Sequence, residues 1–121
     1  MKKNILLIED EKDLVIIYKN QFRNTNLKLF SANRWQEASI LLKKIKFDLI
    51  LLDVVLPSID GFEILQKIKK NPKFKNTKIC MLSNLGGEDE HKKALNLGAL
   101  DYIIKSSLTP TQLVSKITLM I

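Results

Sequence analysis

Five polar residues in this sequence carry the side chains needed for metal and phosphoryl chemistry, and they stand at the ends of four apolar blocks. They are Glu9, Asp10, Asp53, Ser83 and Lys105. Three carboxylates brought into contact raise one another's pKa unless a cation lies between them. Oxygen ligands without His or Cys favour a hard ion, Mg²⁺ or Ca²⁺. The hydroxyl of Ser83 and the ammonium of Lys105 would complete a binding site for a phosphoryl group.

Strands of a buried parallel sheet would bring these residues together. Continuous apolar runs are typical of strands that are covered on both faces. Such runs occupy residues 4–8, 49–52, 79–82 and 102–104, each followed directly by one or two of the polar residues. Residues 27–30 alternate more between apolar and polar side chains, so we predict an edge strand there.

Between these runs the hydrophobic period becomes helical and predicts five helices. The signals at their ends are Lys12 near the start of the first, Ser31 or Asn33 as the cap of the second, Asn71-Pro72 after the third, Gly98 after a fourth at residues 91–97, and Thr109-Pro110 opening the fifth. Five strand–helix units imply an α/β fold, a doubly wound parallel five-stranded sheet with right-handed crossovers. Its ligand site should lie beyond the carboxyl ends of the strands.

Each polar residue also has an ordinary structural explanation when it is considered alone. Asp10 and Ser83 would cap the helices that follow them, and Asp53 would cap a turn. Lys105 would be a solvated loop lysine. The coincidence at four strand ends favours a joint site over four separate explanations.

The composition excludes several other classes of protein. The chain has 121 residues, 45% of them hydrophobic and 27% charged, which suits one globular domain. Its apolar runs are far shorter than the ~20 residues of a membrane span, and the first ends at Glu9, too early for a signal peptide. The single residues Cys80 and His91 exclude an internal disulfide and any Cys- or multi-His metal site. We therefore expect a cytoplasmic domain without membrane insertion.

The net charge of +7 comes with two groups of lysines. Six lysines and no acid lie within residues 67–78, and Lys43, Lys44 and Lys46 form a smaller group. Such groups are either an electrostatic footprint for nucleic acid or a solvated surface. Because Phe74 is the one aromatic residue among these lysines, we favour a solvated surface and do not expect direct binding of nucleic acid.

Five short motifs stand in order along the chain. They are Ile5-Leu6-Leu7-Ile8-Glu9-Asp10-Glu11, Phe47-Asp48-Leu49-Ile50-Leu51-Leu52-Asp53-Val54-Val55-Leu56-Pro57, Asp60-Gly61-Phe62-Glu63, Met81-Leu82-Ser83 and Gly98-Ala99-Leu100-Asp101-Tyr102-Ile103-Ile104-Lys105. With these motifs the sequence resembles the receiver domains of two-component response regulators. The resemblance covers essentially all of residues 1–121, which we expect to form one receiver domain.

The resemblance implies a flavodoxin-like sheet with strand order 2-1-3-4-5. It also implies that Asp53 accepts a phosphoryl group from the phosphohistidine of a sensor histidine kinase or phosphotransfer protein. Glu9, Asp10 and Asp53 would hold Mg²⁺ together with the backbone carbonyl of Val55. The protein would be a signalling phosphoacceptor and not an enzyme, apart from its own autophosphorylation and autodephosphorylation.

Three residues would couple phosphorylation to output, according to the same resemblance. Ser83 would hydrogen-bond the phosphoryl group, and Lys105 would pair with another of its oxygens. Tyr102 would be a switch residue that turns inward as Ser83 moves. The response would run through the face of the fourth helix, fifth strand and fifth helix to a downstream output protein or domain. A homodimer, if one forms, would use this face.

Three positions depart from the commonest family pattern: Glu9 replaces aspartate, Asn84 replaces a small residue, and Ser106 replaces the proline after Lys105. In the family the bond before that proline is usually cis, which aims the lysine into the site. We expect a cis Lys105–Ser106 bond here as well, although a non-proline cis bond costs about 3–4 kcal/mol. The attraction of the Lys105 ammonium to the carboxylates would hold this bond in the cis form.

Slow loss of the phosphoryl group is a further expectation. In receivers, the residues two past the phosphoacceptor and two past the switch hydroxyl flank the path of the attacking water. Here they are Val55 and Leu85. Neither apolar side chain can orient a water molecule.

Other functions fit parts of the same pattern. The main alternative is a small Mg²⁺-dependent phosphatase or phosphotransferase with Asp53 as covalent nucleophile. Val55 stands where such an enzyme has its second catalytic carboxylate. A flavodoxin-like cofactor binder would need a loop rich in Ser, Thr and Gly after the first strand, where Glu9-Asp10-Glu11 would repel phosphate. Nucleic-acid binding by the lysines would show a steep salt dependence.

Overall fold

Five parallel strands form one sheet in the computed structural model, which describes residues 2–121. They are β1 (Lys3–Ile8), β2 (Leu27–Ala32), β3 (Leu49–Leu52), β4 (Lys78–Ser83) and β5 (Asp101–Ile104). The strand order β2-β1-β3-β4-β5 confirms the order that the resemblance implied. β2 lies at an edge, as its alternating sequence predicted.

The helices follow the strands in strict alternation. They are α1 (Lys12–Phe22), α2 (Trp35–Lys44), α3 (Gly61–Lys70), α4 (Glu88–Asn96) and α5 (Pro110–Met120), with short 3₁₀ turns at Pro72–Phe74 and Lys105–Ser107. Within the described residues, none of these helices is both long and apolar enough to cross a membrane.

The helix ends confirm four of the five predicted signals and correct one. α1 begins at Lys12, and α3 ends at Lys70, directly before Asn71-Pro72. Thr109 caps α5 in a reciprocal capping box. Gly98 follows α4 with φ 101°, a left-handed conformation that glycine adopts without strain. The predicted cap of α2, Ser31 or Asn33, is wrong because β2 continues to Ala32 and the helix begins only after Arg34.

Two apolar layers of helices cover the two faces of the sheet and bury its strands. All four residues of β3 have no exposed surface. Ile50 and Leu52 pack in the layer of α2, α3 and α4, whereas Leu49 and Leu51 pack in the layer of α1 and α5. Each fully buried aliphatic side chain of this size contributes about 1.5–3 kcal/mol, so the central strand is firmly held beneath the residues that follow it.

Candidate functional site

Four strand ends carry the predicted site residues at the carboxyl edge of the sheet. Glu9 follows β1, Asp53 follows β3, Ser83 ends β4 and Lys105 follows β5. The Asp53 amide donates to the last carbonyl of β1 at 3.1 Å, and the Glu9 amide donates to the last carbonyl of β2 at 2.9 Å. The sheet pairing therefore continues one residue past the strands and holds the backbones of both acids in register.

Three carboxylates meet at this edge. Side-chain oxygens of Glu9, Asp10 and Asp53 lie within 4.8 Å of one another. Glu9 is 2% exposed and Asp53 is 5% exposed, whereas Asp10 lies open to solvent. A set of hard oxygen donors with one solvent-facing side suits a divalent cation that keeps part of its water shell. The cluster can thus hold a metal ion.

Lys105 lies against the two buried acids. Its ammonium donates to Oδ2 of Asp53 at 2.9 Å and also to Oε1 of Glu9. The Lys105–Ser106 bond is trans, so the prediction of a cis bond is wrong. Ser106 lacks the low cis penalty of proline, and the chain enters the 3₁₀ turn Lys105–Ser107 from a trans bond with the ammonium still in the site.

The electrostatics of this group are set by burial and by the mutual contacts. Burial raises the pKa of the Glu9 carboxyl to about 7, the neighbouring Asp53 carboxylate adds to the rise, and the Lys105 ammonium opposes it. Burial alone would lower the pKa of Lys105, but its hydrogen bonds to Glu9 and Asp53 outweigh that effect and raise it. The single positive charge of Lys105 does not neutralise the carboxylates around it. The remaining negative charge favours binding of a second cation.

The loop after β3 is closed tightly around Asp53. The amide of Val55 donates to Oδ1 of Asp53 at 3.2 Å, and the amide of Gly61 donates to the carbonyl of Val54 at 2.7 Å. Asp60 caps α3 by accepting a hydrogen bond from the third residue of the helix at 3.0 Å. The spacing Asp60-x-x-Glu63 is a capping signal that the sequence already contained, although we did not predict its role.

Ser83 and Tyr102 lie on the β4–β5 side of the site and are connected through Leu85. Ser83 is fully buried, and its Oγ accepts a hydrogen bond from the Leu85 amide at 3.2 Å. The Tyr102 hydroxyl donates to the Leu85 carbonyl, and Tyr102 is 6% exposed. Tyr102 thus occupies an inward position. No side-chain pattern points to Leu85 in this role, because both of its contacts use backbone atoms.

Comparison with known proteins identifies a family over nearly the whole chain. The family model described as "Response regulator receiver domain" matches residues 5–118. The Phosphate regulon transcriptional regulatory protein PhoB of Rhizobium meliloti (strain 1021) is 31% identical over 110 residues, which cover 91% of this chain and 48% of that protein. The chain spans about half the length of the curated relatives it matches first.

Two solved structures illustrate the structural similarity. The phosphorylated cyanobacterial phytochrome response regulator RcpA is 29% identical, with a TM-score of 0.85 over 99% of this chain and 91% of that chain. The Mn²⁺-bound form of response regulator Rcp1 is 28% identical, with a TM-score of 0.84 over 95% and 91% of the two chains. The fold described above is thus shared with two response regulators.

Proposed function

The chain belongs to the response regulator receiver family, and we propose that Asp53 is the residue through which it receives a phosphoryl group. One observation carries this assignment: the Asp53 side chain is 7% exposed, and its carboxylate contacts the Lys105 ammonium and lies beside two further carboxylates at the carboxyl edge of the sheet. The donor would be the phosphohistidine of a sensor histidine kinase or a phosphotransfer protein.

The transfer step follows from the contacts of Asp53. One carboxylate oxygen attacks the phosphorus, an O–P bond forms, and the P–N bond to the imidazole breaks. The electron pair of that bond goes to the imidazole nitrogen, which leaves as neutral imidazole once it takes up a proton. The Val55 amide at 3.2 Å and the Lys105 ammonium at 2.9 Å fix the carboxylate, so it does not need to reorient for attack.

A magnesium ion is the expected cofactor. Glu9, Asp10 and Asp53 offer the hard oxygen donors that Mg²⁺ prefers, and the backbone carbonyl of Val55 is the fourth ligand we propose. When bound, Mg²⁺ would neutralise charge on the carboxylates and on the phosphoryl oxygens. The relative Rcp1 is described with Mn²⁺, a divalent ion with similar oxygen preference.

Output would start from Ser83 and Tyr102. A phosphoryl group on Asp53 adds acceptor oxygens that Ser83 and Lys105 would bind. Moving Ser83 disturbs its hydrogen bond from the Leu85 amide, and Leu85 also accepts the Tyr102 hydroxyl. Tyr102 lies on β5, so the change would reach the face formed by α4, β5 and α5, where an output protein or domain, or a second copy of the chain, would bind.

The wider setting of the protein is also part of this proposal. We assign residues 1–121 to one receiver domain that acts in the cytoplasm. The signalling role is that of a phosphoacceptor, with autophosphorylation and autodephosphorylation as its only chemistry. The alternative, a Mg²⁺-dependent phosphatase with Asp53 as nucleophile, is not favoured, because the receiver family covers residues 5–118 and Val55 stands at the position of the second catalytic carboxylate.

Phosphorylation with a small-molecule phosphodonor in the presence of Mg²⁺ tests the assignment. Intact-protein mass spectrometry should show one added phosphoryl group, and peptide mapping should place it on Asp53. Asp53→Asn should abolish it, whereas Asp48→Asn, at the other end of β3, should not. Undiminished labelling of Asp53→Asn, or full labelling in excess chelator, would refute the proposal.

A further inference from the structure

The charges of this protein are separated between the two ends of the sheet. Of the 13 side-chain carboxylates, all but Asp48 and Asp101 lie at the carboxyl edge or in the first turns of helices that start there. Both exceptions are engaged, since Asp48 accepts the backbone amide of Asn4 at 2.8 Å and Asp101 lies 3.5 Å from the Lys116 ammonium. Asp48 keeps its negative charge at the amino edge, but the lysines there outnumber it, so this edge is strongly basic.

Two depressions at the amino edge concentrate this charge. One, of about 250 Å³, lies between the end of α2 and the connection from α3 to β4. The other, of about 460 Å³, adjoins it and shares Lys46 and Lys73. The lysines that line one or both are Lys3, Lys43, Lys44, Lys46, Lys73 and Lys78. We call this surface the basic groove.

The tertiary structure joins lysines that are distant in sequence. Lys43, Lys44 and Lys46 come from the end of α2 and the loop after it, whereas Lys73 comes from the 3₁₀ turn before β4. All four are exposed. In the sequence each group looks like an ordinary solvated surface, but together they form one continuous basic surface.

An aromatic ring lies within the same groove. Phe74 is half-buried among its lining residues, and the Lys73 ammonium lies 5.5 Å from the ring centroid. The ring packs against the core, and the Lys73 ammonium lies over it. Phe74 therefore holds this ammonium in the groove, where it can pair with a phosphate.

The sequence alone favoured a solvated surface without direct binding of nucleic acid. From the joined lysines we propose instead that the basic groove binds the phosphate backbone of a nucleic acid without sequence specificity. Exposed lysines spread along two adjoining depressions suit a polymer with regularly spaced charges, which releases condensed counterions when it binds. The groove lies at the end of the sheet opposite Asp53 and Glu9. Nucleic acid bound there leaves the phosphorylation site open, so this proposal does not depend on the proposed function.

Fluorescence anisotropy with labelled DNA tests the proposal. The probes are a single strand and a duplex of about 20 nucleotides per strand, measured over a series of salt concentrations. We expect binding at low salt that weakens steeply as salt rises, with a slope of about −0.9 for each duplex phosphate neutralised. Failure to bind either probe at low salt would overturn the proposal.

A pair of matched variants separates the groove from the net charge. The triple variant Lys44→Gln, Lys46→Gln, Lys73→Gln should lose at least tenfold in affinity and reduce the duplex slope by about 2–3. The control Lys12→Gln, Arg34→Gln, Lys92→Gln removes the same charge from exposed positions elsewhere and should keep most of the affinity. Circular dichroism checks that both variants fold.

Two outcomes contradict the proposal even if the wild-type protein binds DNA. One is an equal loss of affinity in the two triple variants, which would mean that net charge alone drives binding. The other is a competition result in which a polyglutamate peptide of matched charge displaces the labelled DNA as effectively as unlabelled DNA at the same concentration. That result would indicate an acidic protein partner instead.

Discussion

The carbonyl oxygen of Asp53 lies 2.1 Å from the position that a Cβ atom would occupy at Gly61. The backbone of Val54 is also within 2.8 Å of that position. Since these neighbours are backbone atoms of the loop that holds Asp53, they cannot move aside without moving the carboxylate. Gly61 therefore allows α3 to begin directly against the site.

Gly61→Ala should destabilise the protein by about 1–3 kcal/mol, the range expected for overpacking a tight site. It should also slow the phosphorylation of Asp53, because the loop after β3 would shift. Urea denaturation and phosphodonor labelling measure the two effects. The matched control is Gly86→Ala, where the added Cβ would meet only Ile104 Cδ1 at 3.4 Å and the change should be within about 0.5 kcal/mol. Equal stability losses in the two variants would contradict the prediction.

The stability of the metal-free protein should depend on the ionisation of Glu9. Its pKa in the folded state is about 7, above the ordinary value of 4.5. The folded state therefore holds a proton that the unfolded state has lost, so Glu9 makes the free energy of unfolding fall as pH rises from about 4.5 through 7. Urea denaturation in chelator should show this loss, and Glu9→Gln should lack it. The prediction would be wrong if the free energy of unfolding of the wild type and of Glu9→Gln changed in parallel with pH.

Val55 and Leu85 should slow hydrolysis of the phosphorylated form. Their side chains are 59% and 47% exposed, and their amides are bound to Asp53 and Ser83. Their backbones are thus held at the site, and neither side chain carries a group that can orient water. Changing both to Asn should speed phosphate release about 5–30-fold, equivalent to about 1–2 kcal/mol of barrier.

Release of inorganic phosphate after removal of the phosphodonor measures that rate. The control variant is Ile40→Asn, an equally exposed apolar residue on α2. An unchanged or slower rate in the variant with both Val55 and Leu85 replaced would show that these side chains do not limit hydrolysis.

Tyr102 should link the site to the face of α4, β5 and α5. Tyr102→Phe removes the hydrogen bond to the Leu85 carbonyl and should cost about 0.5–1.5 kcal/mol. In the wild type, a phosphoryl mimic should change amide hydrogen exchange in α4, β5 and α5, and the variant should show a weaker change. Tyr18→Phe, a buried tyrosine on α1, should leave that response intact. A response confined to α1 and α2 would contradict this assignment of the output face.

Four of the five strands were predictable because they are continuous apolar runs, which only a sheet covered on both faces can bury. The alternating sequence of β2 predicted an edge strand instead. Each predicted strand lies within two residues of the observed one. The fourth helix was less well predicted. It begins at Glu88 and not at His91, since its first turn is stabilised by acidic residues near the positive end of the helix dipole and carries no apolar pattern.

The Lys105–Ser106 bond shows the limit of reasoning from a family pattern. The trans bond still allows Lys105 to contact Glu9 and Asp53, because a long lysine side chain reaches the acids from more than one backbone conformation. The position of the ammonium is set by the attraction of the carboxylates and not by the peptide isomer. A pattern of residue types indicates which groups meet, but not by which backbone path.

Local pattern and chain order alone determined the five strand–helix units and the meeting of Glu9, Asp53, Ser83 and Lys105 at one edge. The carboxyl ends of parallel strands lie at one edge of the sheet, and the strand order then decides which of the residues that follow them are neighbours. Only the tertiary structure decided the raised pKa of Glu9 and the joining of two lysine groups into the basic groove. Both depend on burial and on distances between segments far apart in the chain, which no local sequence pattern contains.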